Sequence, residues 1–303
     1  MATVSQWVGG ARPRTLPAAI APVAAGLGIA YHHGARGWDV IGVRGLLALV
    51  VALALQVGVN YSNDYSDGVR GTDDSRVGPI RLVGQGLATP AAVRRAAWLS
   101  FAVAALAGLA LVLITGAWWL VLVGMAAIVA AWFYTGGPRP YGYAGLGEVF
   151  VFVFFGVVAV CGTEYVVLGA VTWDAALASV GVGALACAIL VVNNLRDIPT
   201  DAVAGKQTLA VRLGDRRTRV LFTSLIAAAG VIALAIGVVG VVARPQLWAG
   251  GAAVAVVAMT AAIDPLRVVA ADAVGRSLVP ALSGTGRTLL FYGVLMGLGA
   301  AVF

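Results

Sequence analysis

Charge is what this chain has least of: only 11% of its 303 residues are Asp, Glu, Lys or Arg. Soluble domains carry about 25%, so the shortage excludes an ordinary water-soluble globular protein. Cysteine is nearly absent. The two that occur, Cys161 and Cys187, lie inside apolar runs, which excludes a readable disulfide framework and leaves both as core packing. Segments of alternating apolar and polar residues are missing, and without them a membrane β-barrel has no candidate strands. A secretory signal is missing too: Arg12 and Arg14 precede an apolar run from Leu16 to Tyr31 that has no obvious cleavage site. The formal net charge is +7, but the basic residues sit between apolar runs rather than in one patch. That distribution argues against a nucleic-acid partner.

What the chain does have is apolar length. It is 61% hydrophobic with a mean hydropathy of +0.95, and a spanning helix needs about 20 mostly apolar residues. Nine stretches qualify: 16–33, 43–62, 92–114, 117–134, 146–170, 175–192, 220–242, 247–263 and 288–302. The 40 glycines allow close helix packing in lipid. The expected fold is an all-α, polytopic membrane helix bundle of nine transmembrane helices, one domain over residues 1–303. Nine spans put alternate loops on opposite sides, and 17 of the 20 Lys and Arg then fall on one face. The positive-inside rule makes that face cytoplasmic, in a multi-pass protein of the cell membrane.

Two polar stretches stand out against this background. The first is Asn63-Asp64-Tyr65-Ser66-Asp67, continuing through Gly71-Thr72-Asp73-Asp74 to Gly78-Pro79-Ile80-Arg81. The second is Asn193-Asn194-Leu195-Arg196-Asp197-Ile198-Pro199-Thr200-Asp201, followed by Gly205-Lys206. Each follows an apolar run, each falls on the cytoplasmic face, and each repeats Asp one helical turn on, where side chains share a helix face. One such loop reads equally well as solvated acids paired with nearby arginines; two matched ones on one face do not. At the bilayer centre each acid would cost about 2.5–3.5 kcal/mol, whereas at cytoplasmic helix ends the acids can face a wet cavity.

Carboxylates at this spacing are hard oxygen ligands suited to Mg²⁺, which bridges to substrate phosphates. A diphosphate cannot approach bare aspartates, and divalent ions reverse that sign. Arg76, Arg81, Arg196 and Lys206 would complete a cradle for the phosphate oxygens. Metal-bound diphosphate is a good leaving group. With an allylic prenyl donor its departure leaves a carbocation, and a helix bundle in lipid can hold the greasy tail.

The paired motifs Asn63-Asp-x-x-Asp67 and Asp197-x-x-x-Asp201 resemble those of the UbiA superfamily of intramembrane prenyltransferases. The resemblance extends over nearly the whole chain, including Arg12-Pro-Arg-Thr-Leu-Pro17. The finer patterns are similar to the branch that prenylates 1,4-dihydroxy-2-naphthoate in menaquinone synthesis. They are Gly71-Thr-Asp73, Gly78-Pro-Ile-Arg81, Asn193-Asn-Leu-Arg-Asp-Ile-Pro-Thr-Asp201, Gly205-Lys206-x-Thr208 and Tyr134-Thr-Gly-Gly-Pro-x-Pro…Gly145-Leu-Gly-Glu148. One departure is visible: the third acid of the first motif usually stands where this chain has Gly71, so Asp73 or Asp74 takes that role.

The resemblance implies a UbiA-like fold and a decarboxylative prenylation. A polyprenyl diphosphate would ionise on Mg²⁺, in two ions, held by Asp64, Asp67, Asp73, Asp197 and Asp201, with Lys206 counted among the catalytic groups. Asn63, Arg76, Arg81, Arg139, Asn193, Arg196 and Lys206 would bind the diphosphate. The carboxylate-bearing carbon of the naphthoate would attack the cation, CO₂ would leave, and demethylmenaquinol would result. Arg14, Tyr134, Tyr143 and Glu148 are candidates for holding the aromatic acid or stabilising the cation.

Several of these residues also have plainer readings. Arg139 and the nearby Tyr134, Tyr141 and Tyr143 could form an interfacial aromatic belt with a snorkelling arginine as well as a cation-stabilising wall. Arg14 could be a topology charge. Glu148 opens an apolar run, where an acid suits a helix N-terminus. Glu164 is an intramembrane acid, a functional candidate by default, yet far from both motifs by span counting. His32 and His33 read as interfacial, and Arg212, Arg216, Arg217 and Arg219 as positive-inside charges touching membrane lipid. Rival functions are prenylation of another aromatic acceptor such as 4-hydroxybenzoate, or a cation-coupled transporter. The sequence sets neither prenyl chain length nor oligomeric state.

Overall fold

The computed structural model describes residues 2–71, 80–243 (side chains to 238) and 254–302, and among these no strand occurs. The helices are α1 (Val4–Gly10), α2 (Pro17–His32), α3 (Gly45–Val69), α4 (Pro90–Thr115), α5 (Leu120–Phe133), α6 (Gly147–Val151), α7 (Ala159–Leu168), α8 (Trp173–Val203), α9 (Leu209–Ala243), α10 (Ala255–Ala258), α11 (Ile263–Ala270) and α12 (Val279–Val302). π-helical turns Trp38–Arg44 and Phe152–Val158 join α3 and α7 to what precedes them. Six of these stretches are long and apolar enough to cross a membrane, and the bent pair Val4–Thr15 and Pro17–His32 would make a seventh. The protein is an all-helical, multi-pass membrane bundle. The expected span at 117–134 appears as the shorter apolar helix α5, and the one at 247–263 begins outside the described residues.

Local chemistry explains the helix ends. Thr89 and Thr172 cap α4 and α8 by accepting from the amides of Ala92 and Ala175. Gly116 and Gly169 end α4 and α7 in the left-handed conformation. Between α1 and α2, Arg12 takes φ 54° and Pro13–Thr15 make one 3₁₀ turn, bending the chain by 51°.

α8 is the central post. Val182, Leu185, Ala188 and Val191 are wholly buried among α2, α7, α9 and α12. Missing side chains let the neighbours close in: a Cβ on Gly28 of α2 would lie 1.9 Å from the Gly297 carbonyl of α12. The outward faces of α4 and α5 carry Leu99, Leu106, Leu113 and Leu122, apolar as lipid requires.

Both motif stretches differ from expectation in one respect. Their Asn-Asp segments are helix, not loop: α3 runs through Asn63, Asp64 and Asp67 to Val69, and α8 runs through Asn193, Asp197 and Asp201, with Pro199 inside it. Polar residues did not end these helices because their side chains find buried partners, on neighbouring elements for Asn63, Asp64 and Asp67 and within α8 for Asn193, Arg196 and Asp197.

Candidate active site

A cavity of about 1100 Å³ opens within the bundle, apolar along most of its length and polar at one end. Its volume lies at the upper end for small-molecule sites. The polar end begins on α3, where Gln56, Asn60, Asn63 and Asp67 all line it. Their spacing of four, three and four places them on one helix face. The bend before α2 adjoins this face: Asn60 donates to the Ala11 carbonyl at 2.8 Å, and Gln56 donates to the Thr15 hydroxyl at 2.8 Å.

Asp67 is the hub of this end. Its Oδ1 accepts from the Tyr143 hydroxyl at 2.5 Å and from Lys206 Nζ at 3.3 Å, while its Oδ2 stands 3.9 Å from Arg81 Nη2. The Lys206 ammonium also lies 4.7 Å from the centre of the Tyr143 ring, within cation–π range. Asp67, Arg81 and Lys206 are all buried, so these charge-assisted contacts act with little solvent screening. Thr135 donates to Asn63 Oδ1 at 2.8 Å, and Arg70 reaches the Thr135 and Gly137 carbonyls, tying the loop after α5 to α3. Tyr141 lines the cavity and donates to the Ala130 carbonyl; burial pushes its phenol above its ordinary value, so it remains a donor.

The second motif contributes Asn193, Asn194, Arg196 and Asp201 to the same lining. Arg196 donates to Asn193 Oδ1 at 2.9 Å and grips Asp197 through both carboxylate oxygens, each at 2.7 Å. Asp64 and Asp197 are buried but do not line the cavity. Asp64 accepts instead from the amides of Leu82 and Val83, at 2.7 and 3.1 Å. Among the described residues no three Asp, Glu, His or Cys side chains stand together as an ion site. The expected convergence of four carboxylates on one point is therefore not the arrangement seen here. Backbone amides hold one, a neighbouring guanidinium holds another, and Asp73, Asp74 and Arg76 lie outside the described residues.

Other expected site residues separate cleanly. Tyr134, Tyr143 and Arg14 line the cavity; Arg139 is exposed and does not. Glu148 is buried outside the lining and accepts from Asn194 Nδ2 at 3.2 Å, which ties α6 to α8. Glu164 accepts from both the amide and the hydroxyl of Thr172 at the start of α8, a structural clamp. Sequence reasoning missed Gln56, Asn60 and Arg276, all of which line the cavity. The helical period running back from Asp67 was the available signal for the first two. Arg276 gave none, because it comes from the turn Gly275–Leu278 before α12.

Comparison with known proteins adds three findings. Residues 19–273 match the model of the UbiA prenyltransferase family. A 1,4-dihydroxy-2-naphthoate octaprenyltransferase of Mycobacterium tuberculosis is 53% identical over 304 residues, covering 100% of this chain and 99% of that one. The Escherichia coli protein of that name is 40% identical over 220 residues, 70% of each chain. Two solved structures share the fold. The apo UbiA homologue of Aeropyrum pernix K1 has a TM-score of 0.66 at 15% identity, covering 93% of this chain and 96% of that one. The Archaeoglobus fulgidus homologue bound to DMAPP and Mg²⁺ has a TM-score of 0.59 at 16% identity, covering 96% and 99%.

Proposed function

This chain belongs to the UbiA prenyltransferase family, and from that premise we propose that it prenylates 1,4-dihydroxy-2-naphthoate. It takes the polyprenyl group from an allylic polyprenyl diphosphate, releases CO₂ and diphosphate, and yields demethylmenaquinol. The observation that carries this reading is the 53% identity to a protein of that activity along the full length of both chains. The Asp67 cluster at the polar end of an apolar cavity supplies matching chemistry.

The residues fit a divalent metal. Asp64, Asp67, Asp197 and Asp201 are all buried, against three buried cations, Arg81, Arg196 and Lys206. Within these seven motif side chains the carboxylates outnumber the cations by one, and the carboxylates would repel an incoming diphosphate. Divalent cations are the ordinary remedy, and two ions belong to this proposal. When bound by these Asp side chains, Mg²⁺ supplies the positive charge that lets diphosphate bind and depart.

The chain's own residues do the remainder. Lys206, Arg81 and Arg196 hold the diphosphate oxygens, with Asn63 and Asn193 beside them. The Tyr143 ring, and Tyr134 on the same wall, face the cation as the C–O bond breaks. The apolar walls hold the prenyl chain and keep water from capturing the cation. The ring carbon that bears the carboxylate attacks the allylic carbon. The electron pair of its C–CO₂⁻ bond then restores the aromatic ring as CO₂ leaves. Arg14 and Arg276, two arginines on the cavity lining, hold that carboxylate before reaction. Alanine at either is expected to raise KM for the naphthoate about tenfold while leaving KM for the prenyl diphosphate within about twofold. Steady-state kinetics with each substrate varied in turn checks this.

In the same reading the active site faces the cytoplasm of the cell membrane, supported by the skew of Lys and Arg across the loops. One domain of nine spans, with α5 and the segment ending near Ile263 as two of them, completes it. The test is direct: purified protein in detergent, a labelled prenyl diphosphate, Mg²⁺ or EDTA, and either the naphthoate or 4-hydroxybenzoate. Mg²⁺-dependent prenyl product with CO₂ release from the naphthoate is expected. Product from the benzoate alone would move the substrate, and no product from either would end the enzymatic reading.

A further inference from the structure

The helical glycines fall into two groups when each is asked what a side chain would meet. Most are packing contacts. A Cβ on Gly28 would strike the Gly297 carbonyl at 1.9 Å, one on Gly293 the Ala21 carbonyl at 2.3 Å, and one on Gly58 the Phe101 ring at 2.5 Å. Four behave in the opposite way, Gly230 in α9 and three that line the cavity: Gly108 in α4, Gly124 in α5 and Gly162 in α7. A Cβ on Gly108 would touch only Val51 Cγ2, at 3.9 Å, and one on Gly124 or Gly162 would have nothing within 4 Å. None of the three has positive φ. Glycine weakens a helix interior relative to alanine, and here neither a close contact nor the backbone conformation demands it.

What the three share is the cavity, which all of them line. They also lie well along their helices from the polar end. At 1.5 Å per residue, Gly108 lies about 27 Å along α4 from Pro90, and Gly162 about 22 Å along the helical stretch from Gly147. Those starting points are the helix ends nearest the Asp67 cluster. Gly124 sits on the first turns of α5, which runs back towards that cluster. By the same measure Gly124 lies about 14 Å from Phe133, so three helices withhold side chains over the middle and deep part of a hydrocarbon layer about 30 Å thick.

We propose that Gly108, Gly124 and Gly162 determine the length of prenyl donor that the enzyme uses, and that the room they leave is taken by the isoprene units furthest from the diphosphate. This rests on the prenyl-transfer reading above and adds the donor's length class to it. A geranyl chain of two units ends short of these depths. An octaprenyl chain must reach them. A leucine at any of the three positions projects into space the long chain needs, and its Cβ meets no protein atom closer than 3.9 Å.

The experiment is a competition between geranyl diphosphate and octaprenyl diphosphate in Mg²⁺, with the naphthoate as acceptor. It is run on the wild-type protein and on Gly108→Leu, Gly124→Leu and Gly162→Leu separately. The readout is the ratio of kcat/KM for the long donor to that for the short one, taken within a single preparation, so partial loss of folded enzyme cancels. Gly230→Leu on α9 is the control for a leucine placed on a helix away from the cavity lining; its Cβ would face only the Met259 side chain at 3.8 Å. The expected result is at least a tenfold fall in the ratio for the cavity variants and no change for the control. A ratio within twofold of wild type in all three cavity variants overturns the inference, as does an equal fall in the control. Wild-type protein that transfers neither donor would overturn the prenyl-transfer reading itself, an outcome distinct from either.

Discussion

Asn in place of Asp67 is expected to lower kcat by about a thousandfold or more, equivalent to about 4 kcal/mol of transition-state stabilisation. Asp67 and Asp201 are the motif acids on the cavity lining, and Asp67 gathers Tyr143, Lys206 and Arg81 around it. An amide there still accepts the Tyr143 hydrogen bond but brings no charge. The diphosphate then loses a metal-holding carboxylate, and Lys206 loses a buried counter-ion. These two losses separate experimentally. The double variant Asp67→Asn/Lys206→Met removes the uncompensated ammonium and should recover thermal stability in detergent without recovering turnover. Retention of more than a tenth of wild-type kcat in Asp67→Asn would remove Asp67 from the metal site. Recovery of turnover in the double variant would make its role structural.

Asp197→Ala should have the largest effect on stability. Arg196 and Asp197 form a two-point pair at 2.7 Å, both buried in α8. Removing one partner from a buried pair leaves an uncompensated charge, at about 3–5 kcal/mol. Replacing both with apolar groups of similar size, as in Arg196→Met/Asp197→Leu, should restore most of that loss. Turnover should stay absent in both variants, because the proposal needs Asp197 for the metal and Arg196 for the diphosphate. The unfolding midpoint followed by intrinsic fluorescence, with product formation measured on the same samples, reads both effects. An active double variant would reduce the pair to a structural clamp.

The pair also bears on how ions enter. Asp197 is held by Arg196 and Asp64 by two backbone amides, both off the cavity lining, so Mg²⁺ bound through either would use the remaining lone pairs of these carboxylates and need a shift of the side chain towards the cavity. EDTA is accordingly expected to lower activity to background while leaving the bundle's thermal stability nearly unchanged, since the four Asp side chains already have protein partners. Activity in excess EDTA equal to that in Mg²⁺ would rule out the metal.

The amino-acid sequence by itself determined the class of molecule. Long apolar runs with little charge leave an all-helical membrane bundle as the physical outcome, and two Asn-Asp stretches following apolar runs mark where its polar chemistry lies. Tertiary structure decided which of those acids face the cavity. An α-helix turns about 100° per residue, so Asp64 and Asp67 point about 60° apart on α3. That offset separates an acid held by the Leu82 and Val83 amides from one aimed at Lys206. The same packing carried α3 and α8 through residues that had been expected to form loops. It also brought Tyr143 and Arg276 to the cavity, and these belong to turns whose direction has no local signal. Composition sets where polar residues sit along a helix; only neighbouring helices set which way each one looks.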